Sequence, residues 1–311
     1  MSHPVSHSVS DSLLRAAEQW QLGLSSGDVS PGMAAMARGL SQTRVSMPVD
    51  DWRALTSSDE LRDWRAIAHL CPYTQRGFRK PRGYAGDAVL LDYIYGSAPA
   101  PDETTPTGRA MLQWMRRESE GFRSVQWRRD YFAKRIDMLA AERPLARVAS
   151  IACGHFREGQ RSAAIRQGAL GEVIALDHDA ESLEVVASDH SAFGVKAVPG
   201  SVRDLITGKV QLADMDLIYA AGLYDYLPQP FAKRLTSRLF DSLRPGGTLI
   251  VANFVQMWER GWMEAFMDWW LIYRDHDEIA SLADEIDEAR IQQRHVFTDP
   301  SGCVGYLELK K

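Results

Sequence analysis

The residues best placed to do chemistry lie where a short apolar run breaks at a glycine. In Val148-Ala149-Ser150-Ile151-Ala152-Cys153-Gly154-His155-Phe156-Arg157-Glu158 the run stops at Gly154. This is the pattern of a buried parallel strand whose C-terminal end admits a ligand beside bare backbone. Asp177 follows at roughly the 20-residue spacing that suits an acid to ribose hydroxyls, so the stretch reads as a nucleoside-binding turn. Asp179 then stands as a helix cap before Ala180-Glu181. His155 and His178 are candidate bases, although a lone histidine is more often structural. Cys153 has no evident partner base and reads as packing.

The glycines narrow the ligand. A diphosphate-binding G-x-G-x-x-G turn needs three, and here the corresponding positions are Ala152, Gly154 and Arg157. A nucleoside without phosphates needs only one close backbone approach, which favours S-adenosylmethionine over NAD. Two further clusters suit that cofactor. Cys71 to Asp87 combines two prolines, three glycines, four cations and three aromatics, an ordered-loop composition. It reads either as a solvated surface loop or as a lid bringing Arg82, Tyr84 and Asp87 over a ligand with both a carboxylate and a cation. Asp214 to Leu227 carries Tyr224 and Tyr226, whose faces stabilise a sulfonium by cation–π attraction if they are not simply core.

The elements that must position these residues divide the chain into a helical cap or lid over residues 1–140 and a cofactor-binding domain over 141–311. The spacing predicts two helices between Asp11 and Leu40, a third over Ser57 to Leu70 opened by a Ser57/Glu60 capping box, and a short one over Ala88 to Ile94. It predicts one long helical stretch from Arg109 to Ala141. After Pro144, strands at Arg147–Ala152, Glu172–Leu176, Gly194–Val198, Met215–Ala220 and Thr248–Phe254 alternate with helices at Glu158–Gln167, Ala180–Asp189 and Pro228–Leu243. Ala289–Thr298 and Cys303–Lys310, joined by Asp299-Pro300-Ser301-Gly302, read as an antiparallel hairpin. Nicotinamide-binding folds generally continue parallel, so the ending points elsewhere.

Composition limits the function. The 311 residues are 45% hydrophobic, with a formal charge of -5, and no positive field favours nucleic acid. Cys71, Cys153 and Cys303 form neither a disulfide framework nor a zinc pattern, so no metal is expected and a reducing cytoplasm is the expected home. No apolar run approaches the roughly 18 residues of a membrane span. His3 and His7 lie in a polar leader that reads as a disordered end.

Gly246-Gly247, between Ser242-Leu243-Arg244-Pro245 and Thr248-Leu249-Ile250-Val251, resembles the helix-to-strand turn of class I S-adenosylmethionine-dependent methyltransferases. The resemblance implies an α/β Rossmann-like sheet of parallel strands ending in an antiparallel hairpin. It implies Ala152, Cys153 and Gly154 beside the methionine part, Asp177 with His178 at the ribose, Gly200, Ser201 and Val202 beside adenine, and Ala221 to Tyr226 beneath the sulfonium. Ser150 departs from the acid, and Ser201 from the aspartate, often found there. Arg79-Lys80-Pro81-Arg82-Gly83-Tyr84-Ala85-Gly86-Asp87, Asp92-Tyr93-Ile94-Tyr95 and Asp268-Trp269-Trp270-Leu271-Ile272-Tyr273-Arg274 look like the bacterial extracellular-factor methyltransferases, associated with the methyl ester of 3-hydroxypalmitic acid, and extend the similarity over residues 70–311. The implied activity is O-methylation of an acyl carboxylate in signal or secondary-metabolite biosynthesis, with Tyr84, Asp87 and Tyr226 as catalytic candidates and Arg82 on a carboxylate. Cyclisation of S-adenosylmethionine to azetidine-2-carboxylate with release of methylthioadenosine is an alternative, as is a non-catalytic cofactor- or partner-binding protein. A small-molecule substrate is expected; the acceptor and the oligomeric state stay open. Trp262, Phe266, Met267, Trp269 and Trp270 are read as core in preference to an acyl tunnel.

Overall fold

The computed structural model describes residues 11–311, so His3 and His7 lie outside the described residues. Two compact units form: Met1–Arg123 with Met257–Trp270, and Ser124–Gln256 with Leu271–Lys311. Residue 140, the expected boundary, lies in the helix Glu120–Glu142, and the compact units adjoin in the chain between Arg123 and Ser124.

The first unit is helical. Helices Asp11–Ser26 and Val29–Ser46 pack together across Gly32, where a Cβ would lie 2.6 Å from the Trp20 Cα. The expected Ser57–Leu70 helix is two pieces, a 3-10 turn Asp59–Leu61 and a helix Arg62–Ala68, preceded by a separate helix Val49–Ser57 that ends where it was expected to begin. The cap is Ser58, not Ser57, because its side chain accepts from the Glu60 N–H. Pro72 at the first turn starts a helix over Pro72–Arg79 inside what reads as loop, and Lys80 in the left-handed region ends it. The long stretch breaks at Ser119 into Pro106–Glu118 and Glu120–Glu142. Ser119 caps the second helix by accepting from the Phe122 N–H while donating to Glu259 Oε1 at 2.6 Å.

The returning segment Arg260–Met267 is a helix with Trp262, Phe266 and Met267 all buried. Trp262 and Phe266 lie 5.5 and 5.9 Å from the Trp20 ring. These are core residues. Glu264 on the same helix is buried but satisfied, accepting from Trp52 Nε1, Arg44 Nε and Arg260 Nε, each at 2.7 Å.

The second unit is a seven-stranded sheet of β1 (Arg147–Ile151), β2 (Glu172–Asp177), β3 (Val195–Pro199), β4 (Met215–Ala220), β5 (Leu243–Phe254), β6 (Gln293–Thr298) and β7 (Val304–Lys310). Its order is β3-β2-β1-β4-β5-β7-β6, parallel except for β7, which runs antiparallel to both neighbours. That is a Rossmann-like α/β sheet, parallel strands ending in an antiparallel hairpin, and the strand order reverses between β1 and β4, where such sheets open a crevice. β1 and β4 are buried along nearly their whole length, which is why they read as continuous apolar runs.

β5 begins five residues earlier than expected, at Leu243. The glycine pair therefore sits inside the strand, where the register against β4 shifts between Met215 and Leu217. Gly246 has φ 78°, and a Cβ on Gly247 would meet the Met215 carbonyl oxygen at 2.6 Å; only glycine fits this bulge. The helix after β1 is likewise interrupted, at Ser162, giving Arg157–Arg161 and Ala163–Arg166. Ser162 donates to Asp137 Oδ1 at 2.5 Å and caps the second piece through the Ile165 N–H.

Candidate functional site

In the second unit the turn after β1 is held in unusual backbone. Ala152, Gly154 and Phe156 all have positive φ, at 54°, 55° and 52°, a conformation that costs a non-glycine residue about 1 kcal/mol or more and marks functional turns. The Gly154 N–H donates to Asp177 Oδ2 at 2.8 Å, and the Asp179 N–H to Asp177 Oδ1 at 2.9 Å. Each carboxylate oxygen keeps acceptor capacity. His178 Nδ1 lies 3.3 Å from the same Oδ1, with its side chain largely exposed. Phe156 packs edge-on to His190, and a Cβ on Gly159 would meet the Phe156 ring at 2.5 Å. Gly159 thus does the close packing that the missing third glycine would have done.

Cys153 points to no catalytic role. Burial, followed by the charges of Asp177 and Glu158, pushes its thiol well above the usual range, which disfavours the nucleophilic thiolate.

Ser201 caps the helix Val202–Thr207 in a capping box. Its hydroxyl donates to Asp204 Oδ2 at 2.7 Å, and the Asp204 N–H donates back to it. The Ser201 hydroxyl, Ser201 N–H and Lys209 together hold Asp204 down at about 2. Val202 packs against the hydrophobic core beneath the sheet. The Gly200 N–H donates to the Asp177 carbonyl at 2.9 Å, tying the ends of β2 and β3 together.

After β4, Ala221 and Gly222 are partly exposed and Tyr226 is exposed. Tyr224 is not: its ring is buried in the core and its hydroxyl bonds Thr236 Oγ1 at 2.9 Å. Between the two tyrosines Asp225 is also buried, accepting from the Phe254 N–H at 2.7 Å, and burial raises its carboxyl to about 7.

Two buried arginines meet this region in opposite states. Arg274 is fully engaged, donating to Gln229 Oε1 at 2.6 Å, to the Tyr224 carbonyl at 2.8 Å, and to Asn253 and Leu227. Arg128 is only 4% exposed, yet its Nε and Nη1 have no hydrogen-bond partner. Its guanidinium lies 6.0 Å over the Phe254 ring, and its Nη2 is 3.3 Å from where a Cβ on Gly222 would stand. Across from it Glu158 is buried, accepting from the Tyr219 hydroxyl at 2.8 Å. Burial raises the Glu158 carboxyl, while hydrogen bonds and the Arg128 charge oppose the rise. A buried cation with donors uncommitted is costly, and its chemistry suits a carboxylate.

Arg128, Glu158, Tyr219 and Asp225 are the residues that motif reasoning missed. One signal existed for Arg128: it lies on the stripe Ser124, Arg128, Phe132, Ile136, whose members are all buried. A charge on an apolar helix face marks a candidate site.

In the first unit, Arg82 and Tyr84 are half-buried in the 80–87 loop. Asp87 is wholly buried and caps the helix Ala88–Tyr95 through the Leu90 N–H, while Arg76 Nε reaches its two oxygens at 2.8 and 3.0 Å. Its carboxylate therefore fixes the loop. Among the described residues no group of three His, Cys, Asp or Glu side chains could hold a metal ion, and no helix is long and apolar enough to cross a membrane.

No family model matches the chain, and no curated protein matches it. Solved structures do. The chain is similar along its whole length to a structure described as a possible exported protein from Bordetella parapertussis, with 17% identity, TM-score 0.61 and coverage of 100% of this chain and 99% of that one. The likeness is one of fold. Weaker similarity extends to the N-methyltransferase NodS from Bradyrhizobium japonicum WM9 in complex with S-adenosyl-L-homocysteine, at 13% identity and TM-score 0.45 over 71% of this chain and 99% of that one. A TehB-like SAM-dependent methyltransferase from Corynebacterium glutamicum matches at 15% identity and TM-score 0.39 over 60% and 99% of the two chains.

Proposed function

We propose that the second unit binds S-adenosylmethionine at the C-terminal ends of β1, β2 and β4, and that the protein is a methyltransferase for a small molecule, with an acyl carboxylate as the acceptor. The observation that carries this reading is the unpartnered buried guanidinium of Arg128, on the helix Glu120–Glu142, in the same unit as an acid, Asp177, that still has acceptor capacity. One end of the cofactor needs a carboxylate partner and the other a ribose partner, and these two residues have the matching chemistry. The turn through Ala152, Cys153 and Gly154 supplies the close backbone approach between them. Ser201 and Val202 border the adenine end, where the Ser201 hydroxyl is already committed to Asp204, so the base would be held by backbone and apolar contact. His178, exposed beside Asp177, flanks the ribose.

When bound, the cofactor supplies a methyl group on a sulfonium. The residues of this chain have only to orient the acceptor oxygen, and a carboxylate acceptor brings no proton to remove. Ala221 and Tyr226 are the exposed or half-exposed candidates after β4 for the face of the sulfonium; Tyr224 would support them from the core. In the loop of the first unit Arg82 serves as a carboxylate partner and Tyr84 as a substrate contact, with Asp87 holding the loop in shape through Arg76. Free Cys71, Cys153 and Cys303 suit a reducing cytoplasm.

The test is calorimetry of the full chain with S-adenosylmethionine, followed by mass analysis of the turnover products with fatty-acid acceptors. Binding lost on Arg128→Met or Asp177→Asn, with S-adenosylhomocysteine and a methyl ester as products, supports the reading. Methylthioadenosine would instead mean cyclisation, and bound but unchanged cofactor a non-catalytic protein. Unchanged turnover in Arg82→Ala overturns the carboxylate role of the loop.

A further inference from the structure

The helical unit holds a second feature whose chemistry is independent of the cofactor turn. A cavity of about 370 Å³ opens beside Arg53, Arg65, Phe78, Glu264, Asp268 and Trp270, a size in the range of small-molecule sites. Its acids are already committed. Both Glu264 oxygens are taken by Trp52, Arg44 and Arg260. Asp268 accepts from Lys80 Nζ at 2.5 Å and from Trp270 Nε1 at 2.9 Å.

Its cations are less well matched. Arg65 donates to the Ala265 and Thr56 carbonyls and lies 5.8 Å over the Phe78 ring. The Arg53 guanidinium stacks 4.8 Å over the Trp270 ring, and among the described residues it has no carboxylate or carbonyl partner. The cavity therefore presents an uncommitted planar cation on one aromatic wall and a second aromatic wall, Phe78, that is 40% exposed. Flat apolar surfaces capped by arginines suit a flat ligand, and a fork of free N–H donors suits a carboxylate.

We propose that this cavity binds an aromatic carboxylate, with the carboxylate on Arg53 and the ring against Trp270 and Phe78. The site is built entirely within the helical unit and goes beyond the methyltransferase reading, because neither Arg53 nor Trp270 has a part in the cofactor site proposed above.

The test is calorimetry of the full chain with 3-phenylpropionate, 3-phenylpropanamide and octanoate. The wild-type protein should bind 3-phenylpropionate. Arg53→Gln should weaken that affinity at least tenfold, as should replacing the carboxylate by the neutral amide. Trp270→Leu should weaken it at least fivefold, and S-adenosylmethionine affinity should stay unchanged in both variants. Absence of heat with the wild-type protein at millimolar 3-phenylpropionate overturns the site. An unaltered affinity in Arg53→Gln overturns the role of the cation, and octanoate binding as tightly as 3-phenylpropionate overturns the selection for a ring. Should Trp270→Leu unfold, as circular dichroism would show, Trp270→Phe, which keeps a ring face, takes its place with at least a twofold loss; no change there overturns the stacking wall.

Discussion

The Tyr219 hydroxyl donates to Glu158 Oε1 at 2.8 Å with both side chains buried. The acid lies about one helix turn beyond Gly154 in the chain, and the Ser150 hydroxyl also reaches it, at 3.4 Å. Tyr219→Phe leaves the acid with one strong partner fewer at almost unchanged shape. A loss of about 1 to 3 kcal/mol is expected, the cost of a buried acceptor left short of a donor, measured as a drop in the urea midpoint. A midpoint equal to that of the parent protein would falsify the view that this bond matters to the fold.

Asp225 makes stability depend on pH in a stated direction. Burial raises its carboxyl to about 7, against an unfolded value near 4. The folded state therefore holds the proton more tightly, so the contribution is full below about pH 4 and is lost as pH rises through about 7. Asp225→Asn retains an oxygen for the Phe254 N–H and has nothing to titrate. Between about pH 5 and pH 8 its urea midpoint should fall less than that of the parent. Parallel curves would remove Asp225 as the source.

Arg128 places binding and stability in opposition. Its uncommitted donors are costly in the absence of a ligand, so Arg128→Met should raise the melting temperature of the ligand-free protein or leave it unchanged, as replacing buried charge by apolar volume often does. The same change should weaken S-adenosylmethionine binding by about 2 to 5 kcal/mol, the scale for removing one partner of a buried charge pair. Thermal melts with and without cofactor read both effects. A variant that is destabilised when ligand-free, with its cofactor shift intact, would make Arg128 a structural residue.

Gly32 tests the helical unit. A Cβ there would lie 2.6 Å from the Trp20 Cα and 2.8 Å from its ring, and backbone cannot move aside as a flexible side chain does. Gly32→Ala is expected to cost about 1 to 3 kcal/mol from overpacking, despite alanine's better helix propensity. Chemical denaturation followed by tryptophan fluorescence would reveal it, and a stabilised variant would contradict the close approach.

The sheet was legible because its signals are local and strong: apolar runs of strand length, each closed by a turn, with Asp299-Pro300-Ser301-Gly302 announcing the reversal of β7. The Gly154 and Asp177 pairing was legible for the same reason, since spacing along the chain stands in for proximity in a parallel sheet. What escaped was set by tertiary contact. Ser119 and Ser162 look like ordinary helix residues until Glu259 and Asp137 give them partners that favour a break. Arg128 lies 26 residues before Gly154 in a helix that carries no motif, and its meaning depends on Gly222 and Phe254, far along the chain. Tyr224 and Tyr226 are two residues apart, and only packing decides that the first turns into the core while the second stays exposed.

The helix Arg260–Met267 follows β5 in the chain, yet it supplies Trp262 and Phe266 to the core around Trp20 in the first unit. During synthesis, the opening helices therefore emerge with their hydrophobic centre incomplete and wait while five strands of the other unit are made. Release of residues 11–123 as an isolated fragment would leave Trp20 without these rings and the Trp52 N–H without Glu264. Such a fragment should be a ready client for chaperones, and a proteolytic cut between β5 and β6 should disturb the helical unit as well as the sheet it interrupts.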